Sequence, residues 1–216
     1  MALRAFICGG SETGKSTLAR DLARAFQRKV ILDCSGDYAR RGFHVVTTLR
    51  DLSDYIAANY RRGFEVVYMP PTGKEALGLH HAADLIFKYQ QRESPNGSKT
   101  LLVVVDEMAF FYSNAHAKSS ELGGFMRLVN NGRHYGISVI GITQVPTSVA
   151  LSFRTLCERK CIFSLHDAEA KKTILRTIGQ SYERQLSSLR QYEFLDVVSA
   201  DGQMHVTARK LAPPRR

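Results

Sequence analysis

The chain has 216 residues, which is enough for one sizeable α/β domain with a substantial core. A hydrophobic content of 44% and a charged content of 23% are typical of a soluble globular protein. No apolar run approaches the roughly 18 residues that a membrane-spanning helix needs. The net charge of +10 favours polyanionic partners, among which nucleic acid is the usual one. The cysteines (Cys8, Cys34, Cys157 and Cys161) lack the spacing of a metal site, and they predict free thiols in a reducing cytoplasm.

Strand-like and helix-like segments alternate along the chain. Apolar strands are predicted at 5–8, 29–33, 64–69, 101–105, 137–142 and 160–165, and helices at 18–26, 49–60, 74–91, 119–130 and 168–178. Segments 193–198 and 203–209 flank Asp201-Gly202 and predict a terminal β-hairpin. We therefore predict one domain over 1–216, built on a parallel, doubly wound sheet, with 208–216 as a loose basic tail. Because the chain enters its first strand at once, we expect no signal peptide.

A glycine-rich segment joins the first strand to the first helix. Residues 9–16 read GGSETGKS and fit the P-loop pattern G-x-x-x-x-G-K-[ST] in its required strand–loop–helix context. The predicted phosphate-binding residues are Gly9, Gly10, Ser11, Glu12, Thr13, Gly14, Lys15, Ser16 and Thr17. Lys15 is expected to reach the β- and γ-phosphates of a nucleotide, and the Ser16 hydroxyl is expected to bind Mg²⁺. The alternative, a glycine turn before a capped helix, does not explain the Gly-Lys-Ser triplet.

Two carboxylates, Asp106 and Glu107, directly follow the apolar strand 101–105. This is the Walker B pattern, in which Asp106 would hold the Mg²⁺ and its water shell. Glu107 would orient and deprotonate an attacking water, so the second acid favours hydrolysis. Two solvated acids that cap the next helix are the alternative, which the accompanying P-loop makes less favourable.

The strand 137–142 delivers Thr143 and Gln144 to the same carboxyl edge of the predicted sheet. The Gln144 amide can donate to a γ-phosphate and accept from water, which suits a sensor of hydrolysis. Arg133, which precedes this strand, is a candidate arginine finger for a neighbouring subunit's site. A solvated arginine is an equally good interpretation of Arg133.

These elements, in this order, resemble the FtsK–HerA superfamily of DNA-translocating ATPases. The most specific likeness is the Gly-Arg-x-x-Gly run at 132–136, which leads into a strand that ends in Thr-Gln. Segments 159–164 and 172–175 are similar to the family's last core strand and the helix after it, so the resemblance extends from Leu3 to about Val206. It implies a P-loop NTPase fold with a RecA-like, mostly parallel sheet flanked by helices. Family members carry trans-acting arginines on or near the last strand, which makes Arg159 a second finger candidate.

The resemblance also implies a function. The sequence shows no counterpart of the HerA-type N-terminal barrel or of the membrane and DNA-reading domains of FtsK-type proteins. A motor of this length resembles the genome-packaging ATPases of membrane-containing icosahedral DNA viruses. The expected protein hydrolyses ATP with Mg²⁺ and works as a homo-oligomeric ring, expected to be a hexamer, in the host cytoplasm or the virion. It would move DNA into a preformed capsid and dock on a capsid-vertex or portal protein.

The expected DNA contacts are independent of base sequence. A motor that holds the phosphate backbone needs basic residues but no base-reading motif. The candidate contacts are the pair Arg40-Arg41 and the loop at 112–118.

Three other functions are compatible with the sequence. A cellular or conjugative DNA-pumping ATPase of the same superfamily shares every motif. A small-molecule kinase shares the P-loop and the length, but the Asp106-Glu107 pair and the Thr-Gln strand end favour hydrolysis over phosphoryl transfer. A non-pumping morphogenesis or secretion protein, as among the Zot-like relatives, is expected to need a membrane segment.

Overall fold

The computed structural model describes residues 2–119 and 122–212. The strands are β1 (Arg4–Cys8), β2 (Arg28–Leu32), β3 (Val45–Val46), β4 (Phe64–Tyr68), β5 (Leu101–Val105), β6 (Ile137–Thr143), β7 (Arg159–Phe163), β8 (Glu193–Ala200) and β9 (Gln203–Lys210). The helices are α1 (Lys15–Ala23), α2 (Asp37–Arg40), α3 (Leu49–Asn59), α4 (Glu75–Glu93), α5 (Met108–Phe111), α6 (Gly123–Asn131), α7 (Leu151–Leu156), α8 (Ala168–Ile178) and α9 (Glu183–Ser188). Short 3-10 turns cover His116–Lys118, Gly132–Tyr135 and Gln180–Tyr182.

The strands of the described residues form one sheet in the order β3-β4-β2-β5-β6-β1-β7-β8-β9. In this order across the sheet, the seven strands from β3 at one edge through β7 pair in parallel. Strands β7, β8 and β9 pair antiparallel. In the two-residue turn of the hairpin, Asp201 and Gly202 both have positive φ, 52° and 74°, as such turns require. The predicted fold, a mostly parallel sheet flanked by helices with a terminal hairpin, is confirmed.

The two faces of the sheet are covered unequally. Helices α3 to α9 all contribute buried side chains to the core on one face. The other face carries α1, through residues such as Leu18 and Ala19, and the short helix α2. A cavity of about 780 Å³ lies beside α1 and is lined in part by Ile31 and Glu65. The predicted helices therefore lie on both faces, but one face is only partly covered.

Local sequence explains where the long elements lie. Each residue of β5 is buried, because this all-apolar strand lies between β2 and β6 in the middle of the sheet. Thr48 is the N-cap of helix α3, and its side chain accepts a hydrogen bond from the Asp51 N–H. Helix α8 is capped in the same way by Asp167, which accepts from the Ala170 N–H. Capping side chains therefore set the start of both helices where the sequence predicted it.

Several boundaries differ from the predictions. Helix α1 starts at Lys15 rather than at residue 18, because Gly14 is its N-cap. The short helices α2, α5, α7 and α9 were not predicted, since four to six residues show too little periodicity. Strand β9 continues to Lys210, so residues 208–210 pair with β8 rather than forming part of a loose tail. Residues 213–216 of that tail and residues 120–121 of the helix predicted at 119–130 lie outside the described residues.

Two expectations from composition can be compared with the structure. Cys8, Cys157 and Cys161 are buried free thiols, and Cys34 is a partly buried one. Burial raises the pKa of the Cys157 thiol to about 12, which keeps it protonated at neutral pH. Among residues 2–119 and 122–212, no helix is both long enough and apolar enough to cross a bilayer.

Candidate nucleotide-binding site

Three neighbouring strands bring the predicted site together. Strands β5, β6 and β1 lie side by side and parallel, so their carboxyl ends share one edge of the sheet. The P-loop follows β1, the Asp106-Glu107 pair follows β5, and Gln144 follows β6. Ligands of open α/β sheets bind at this edge. The topology therefore gathers at one place motifs that are up to about 130 residues apart in the sequence.

The P-loop backbone adopts the turns that its glycines permit. Gly9 and Gly14 have φ of 155° and 113°, and Glu12 also has positive φ at 58°. The Gly9 N–H donates to the Thr143 carbonyl at 3.3 Å, and the Gly10 N–H donates to the Ser164 carbonyl at 2.8 Å. A Cβ on Gly9 would lie 2.5 Å from the Cβ of Phe163. The loop is thus held between the ends of β6 and β7, and a larger residue at Gly9 does not fit.

Lys15 is the first residue of α1 and is buried. Its Nζ donates to the Gly10 carbonyl at 2.6 Å, and the Thr13 hydroxyl donates to the same oxygen at 2.9 Å. Burial lowers the pKa of Lys15, while the negative charges of Glu107 and Asp106 oppose that shift. The ammonium group therefore lies under the loop and faces the acidic side of the site.

Asp106 and Glu107 have different surroundings. Asp106 is buried, and this burial, reinforced by the charges of Glu107 and Asp33, raises the pKa of its carboxyl to about 6. Glu107 is half-buried and adopts a left-handed backbone conformation, with φ 53° and ψ 57°. Its N–H donates to Oδ1 of Asp106 at 3.2 Å. This conformation costs free energy in a non-glycine residue, so it persists only where the surrounding structure holds it. Such residues are concentrated at functional sites.

Gln144 connects the P-loop to the Walker B strand. Its Nε2 donates to Oε1 of Glu107 at 2.8 Å. Its Oε1 accepts from the Ser11 hydroxyl at 3.4 Å. The side chains of Ser11, Gln144 and Glu107 therefore form one hydrogen-bonded chain across the site. Sequence reasoning placed these three residues at the same edge, and the structure brings them into contact.

The donor atoms at this edge fit a magnesium ion. The Asp106 carboxylate and the Ser16 hydroxyl are hard oxygen ligands of the kind that Mg²⁺ prefers. In the part of the chain that the structure describes, no group of three His, Cys, Asp or Glu residues could hold a metal by itself. Magnesium characteristically uses one or two protein ligands together with substrate phosphates and water, so a phosphate-dependent site fits these residues.

The two arginine candidates lie at the opposite, amino edge of the sheet. Arg133 is exposed in the 3-10 turn before β6, so the length of that strand, about 20 Å, separates it from the P-loop edge. Arg159 is the first residue of β7. Its guanidinium donates to both carboxylate oxygens of the buried Asp196 at 2.8 Å. Neither arginine reaches the P-loop of its own chain.

We expect the two arginines to differ in their effect on stability. Arg159→Ala should lower the free energy of unfolding by about 1–3 kcal/mol, because it removes two hydrogen bonds from a buried carboxylate and leaves Arg209, 2.8 Å from Oδ2, bound to it. Arg133→Ala should change it by less than about 0.5 kcal/mol, as is usual for an exposed side chain. Urea unfolding of both variants measures the difference. Equal destabilisation would contradict the structural role of Arg159.

Asp33 is a buried carboxylate that sequence reasoning did not identify. It follows β2, next to β5, and accepts hydrogen bonds from the N–H groups of Ser35, Gly36 and Tyr38 and from the Ser35 hydroxyl. It thereby holds the loop that leads to Arg40-Arg41 at the carboxyl edge of the sheet. The available signal was the segment Val-Ile-Leu-Asp, which is an apolar strand ending in an acid, as at Asp106.

The sheet topology and the site geometry are those of the P-loop NTPase fold. In this fold a phosphate-binding loop, a Walker B strand and a polar strand end meet at one edge of the sheet. The chain belongs to the zonular occludens toxin (Zot) family, whose sequence profile matches residues 26–185. That match begins beyond the P-loop, so it is independent of this motif. No curated protein matches the chain.

Solved structures with the same fold include a viral genome packaging NTPase and two bacterial proteins. The genome packaging NTPase of Sulfolobus turreted icosahedral virus 2, in complex with sulfate, aligns over 98% of both chains with a TM-score of 0.73 and 16% identity. The bacterial conjugative coupling protein TrwB aligns over 98% of this chain and 86% of its own, with a TM-score of 0.64 and 10% identity. VirB4 of Thermoanaerobacter pseudethanolicus aligns over 98% and 90%, with a TM-score of 0.66 and 11% identity. The expected likeness to packaging ATPases is confirmed for the fold.

Proposed function

We propose that this protein is an ATPase that converts ATP and water to ADP and phosphate. The observation that carries the proposal is the hydrogen-bonded chain from Ser11 through Gln144 to Glu107. It joins a phosphate-binding loop to a carboxylate that can accept a proton. A small-molecule kinase has no need to activate water, because its phosphoryl acceptor is a second substrate, and it often lacks such a second acid.

Each residue has a definite role in this proposal. The P-loop N–H groups and Lys15 bind the phosphates, and Ser16 and Asp106 hold Mg²⁺. The metal would neutralise charge on the β- and γ-phosphate oxygens. Glu107 orients a water and accepts its proton, and the Gln144 amide positions the Glu107 carboxylate. An arginine from a neighbouring subunit, Arg133 or Arg159, completes the site in a homo-oligomeric ring.

We further propose that hydrolysis drives DNA movement. Two observations support this. The net charge is +10, and the segments that carry Arg40-Arg41 and His116–Lys118 follow β2 and α5 at the same edge as the ATP site. Packaging of viral DNA into a capsid, by a hexamer docked on a portal or vertex protein, is the specific form that we propose. A conjugative DNA pump is the alternative within this class.

DNA should therefore stimulate ATP turnover, and the stimulation should fall as salt concentration rises. Replacing both Arg40 and Arg41 by Gln should reduce the stimulation and leave DNA-free turnover unchanged. The matched control is Arg61→Gln with Arg62→Gln, an exposed pair that precedes β4 at the opposite edge. The stimulation is measured as ADP release, with and without DNA, in the absence of any phosphoryl acceptor. A mass measurement under the same conditions gives the subunit number. ATP turnover that does not change when DNA is added would contradict the proposal that hydrolysis drives DNA movement.

Membership of the Zot family favours a second candidate. In this candidate function the protein serves morphogenesis or secretion, as expected for Zot-like relatives, and uses ATP without pumping DNA. ATP-dependent entry of labelled DNA into empty capsids separates the two functions. An ATP hydrolysis rate that DNA does not change, together with no entry of labelled DNA into capsids, would support the morphogenesis or secretion function.

A further inference from the structure

The proposed ATP site constrains where the nucleoside must lie. Lys15, Glu107 and Gln144 identify the side on which a terminal phosphate would bind. Gly14, the N-cap of α1, packs against Phe163 at the end of β7. In the proposed site the rest of the nucleotide extends past Ser16 and Thr17, away from the carboxylates. The following inference rests on the proposed ATPase function and concerns this other side of the P-loop.

A segment from the end of the chain is attached to the P-loop on this other side. The Tyr192 N–H donates to the Thr13 carbonyl at 2.9 Å, and Nε2 of Gln191 donates to the Glu12 carbonyl at 3.1 Å. The Leu211 N–H donates to the Tyr192 carbonyl at 2.8 Å. Two parts of the chain that follow β7 are thus connected to each other and to the P-loop backbone.

Tyr192 has an unusual conformation at this contact. Its φ is 64°, which is rare for an aromatic residue. Its N–H donates to Thr13, the residue after Glu12, which also has positive φ. A Cβ on Gly14 would lie 2.9 Å from Cδ1 of Tyr192 and 3.5 Å from a methyl group of Leu211. Tyr192 as a whole is half-buried. Non-glycine residues with positive φ are concentrated at functional sites.

Open space adjoins the same segment. Thr17 and Ala212, the residue after Leu211, both line the cavity of about 780 Å³ beside α1. Tyr192 and Leu211 do not line this cavity, so Thr17 and Ala212 are what join it to the segment. Small-molecule sites have volumes of roughly 300–1,000 Å³, so the cavity has room for a nucleoside that extends past Thr17.

We propose that Tyr192 stacks on the purine base of the nucleotide, and that Leu211 and Ala212 cover the base and ribose. Tyr192, Leu211 and Ala212 then form the nucleoside-binding part of the ATP site, and the P-loop forms the phosphate-binding part. Stacking on an aromatic ring is tolerant of base identity, because each base has a π-face. ATP and GTP should therefore bind with similar affinity.

Calorimetry with two probes separates the two parts of the site. The probes are a hydrolysis-resistant ATP analogue and inorganic tripolyphosphate, each with Mg²⁺. Tyr192→Ala should weaken binding of the analogue about tenfold or more, within the range measured for base–aromatic stacking. It should leave tripolyphosphate affinity unchanged, and Tyr192→Phe should behave like the wild type with both probes.

Equal loss of both probes in Tyr192→Ala would show that Tyr192 only supports the P-loop, and unchanged analogue binding would exclude stacking. If Tyr192→Ala fails to fold, Tyr192→Leu keeps an apolar contact with Gly14 but lacks the π-face, and the same comparison applies. Lys15→Ala should lose both probes. A wild-type protein that binds neither probe would contradict the ATPase proposal itself, which distinguishes that failure from a failure of the Tyr192 proposal.

Discussion

Replacing Glu107 by Gln should lower ATP turnover by about 10²–10⁴-fold, the range that a positioned general base contributes. Glutamine keeps the size of the side chain and can still bond to Gln144, whose Nε2 lies 2.8 Å from Oε1 of Glu107. It cannot accept a proton from water. Binding of MgATP should persist, because Lys15, Ser16 and Asp106 are unchanged. Single-turnover ADP release together with binding of labelled ATP measures both quantities.

Two further variants make this experiment specific. Glu183→Gln, on an exposed face of α9, removes a carboxylate elsewhere and should leave turnover unchanged. Gln144→Ala keeps the Glu107 carboxylate but removes its hydrogen-bond donor, so turnover should fall less than in Glu107→Gln. Turnover like that of the wild type in Glu107→Gln would overturn the assignment of the general base.

Asp106→Asn should have opposite effects on activity and stability. Burial, with the charges of Glu107 and Asp33, raises the pKa of Asp106 to about 6 from an ordinary value of 3.8. At neutral pH the ionised carboxylate therefore destabilises the fold, by up to about 3 kcal/mol if one pKa unit is worth about 1.4 kcal/mol. The neutral amide should raise the free energy of unfolding by about 1–3 kcal/mol in magnesium-free buffer, while ATP turnover is lost.

The pH dependence gives the sign of this effect. Because the folded-state pKa lies above the unfolded one, the folded state binds this proton more tightly, and stability from this group rises as pH falls from about 7 toward 4. The advantage of Asp106→Asn should therefore be largest at pH 7.5, fall to about half of that value at pH 5 and become small only near pH 4, as measured by urea unfolding.

Asp33→Asn is the matched control for Asp106→Asn. Both aspartates are buried at the ends of adjacent strands, but the Asp33 carboxylate accepts four hydrogen bonds from its own loop. An amide replaces one acceptor oxygen by a donor, so Asp33→Asn should destabilise the protein. Destabilisation of similar size in Asp106→Asn would contradict the argument that its carboxylate is held in an unfavourable environment.

The sequence by itself determined the features that depend on neighbouring residues. The P-loop, the all-apolar strand β5 and the helix α8 were predicted because a motif or a hydrophobic period spans only a few consecutive positions. The edge on which Asp106 and Gln144 lie also follows from the sequence, since parallel strands share their carboxyl ends. Short helices such as α2 and α7 were missed, because four to six residues carry too little pattern.

Only the tertiary structure decided which side chains meet across the site. That Gln144 contacts both Ser11 and Glu107 depends on β6 lying between β1 and β5, an order that pairing of whole strands sets. The contact of Tyr192 with the P-loop joins residues about 180 positions apart and has no signal in either local segment. The burial of Asp106, and with it the raised pKa, likewise arises from packing, because solvation depends on what surrounds a carboxylate in space rather than on its neighbours in the chain.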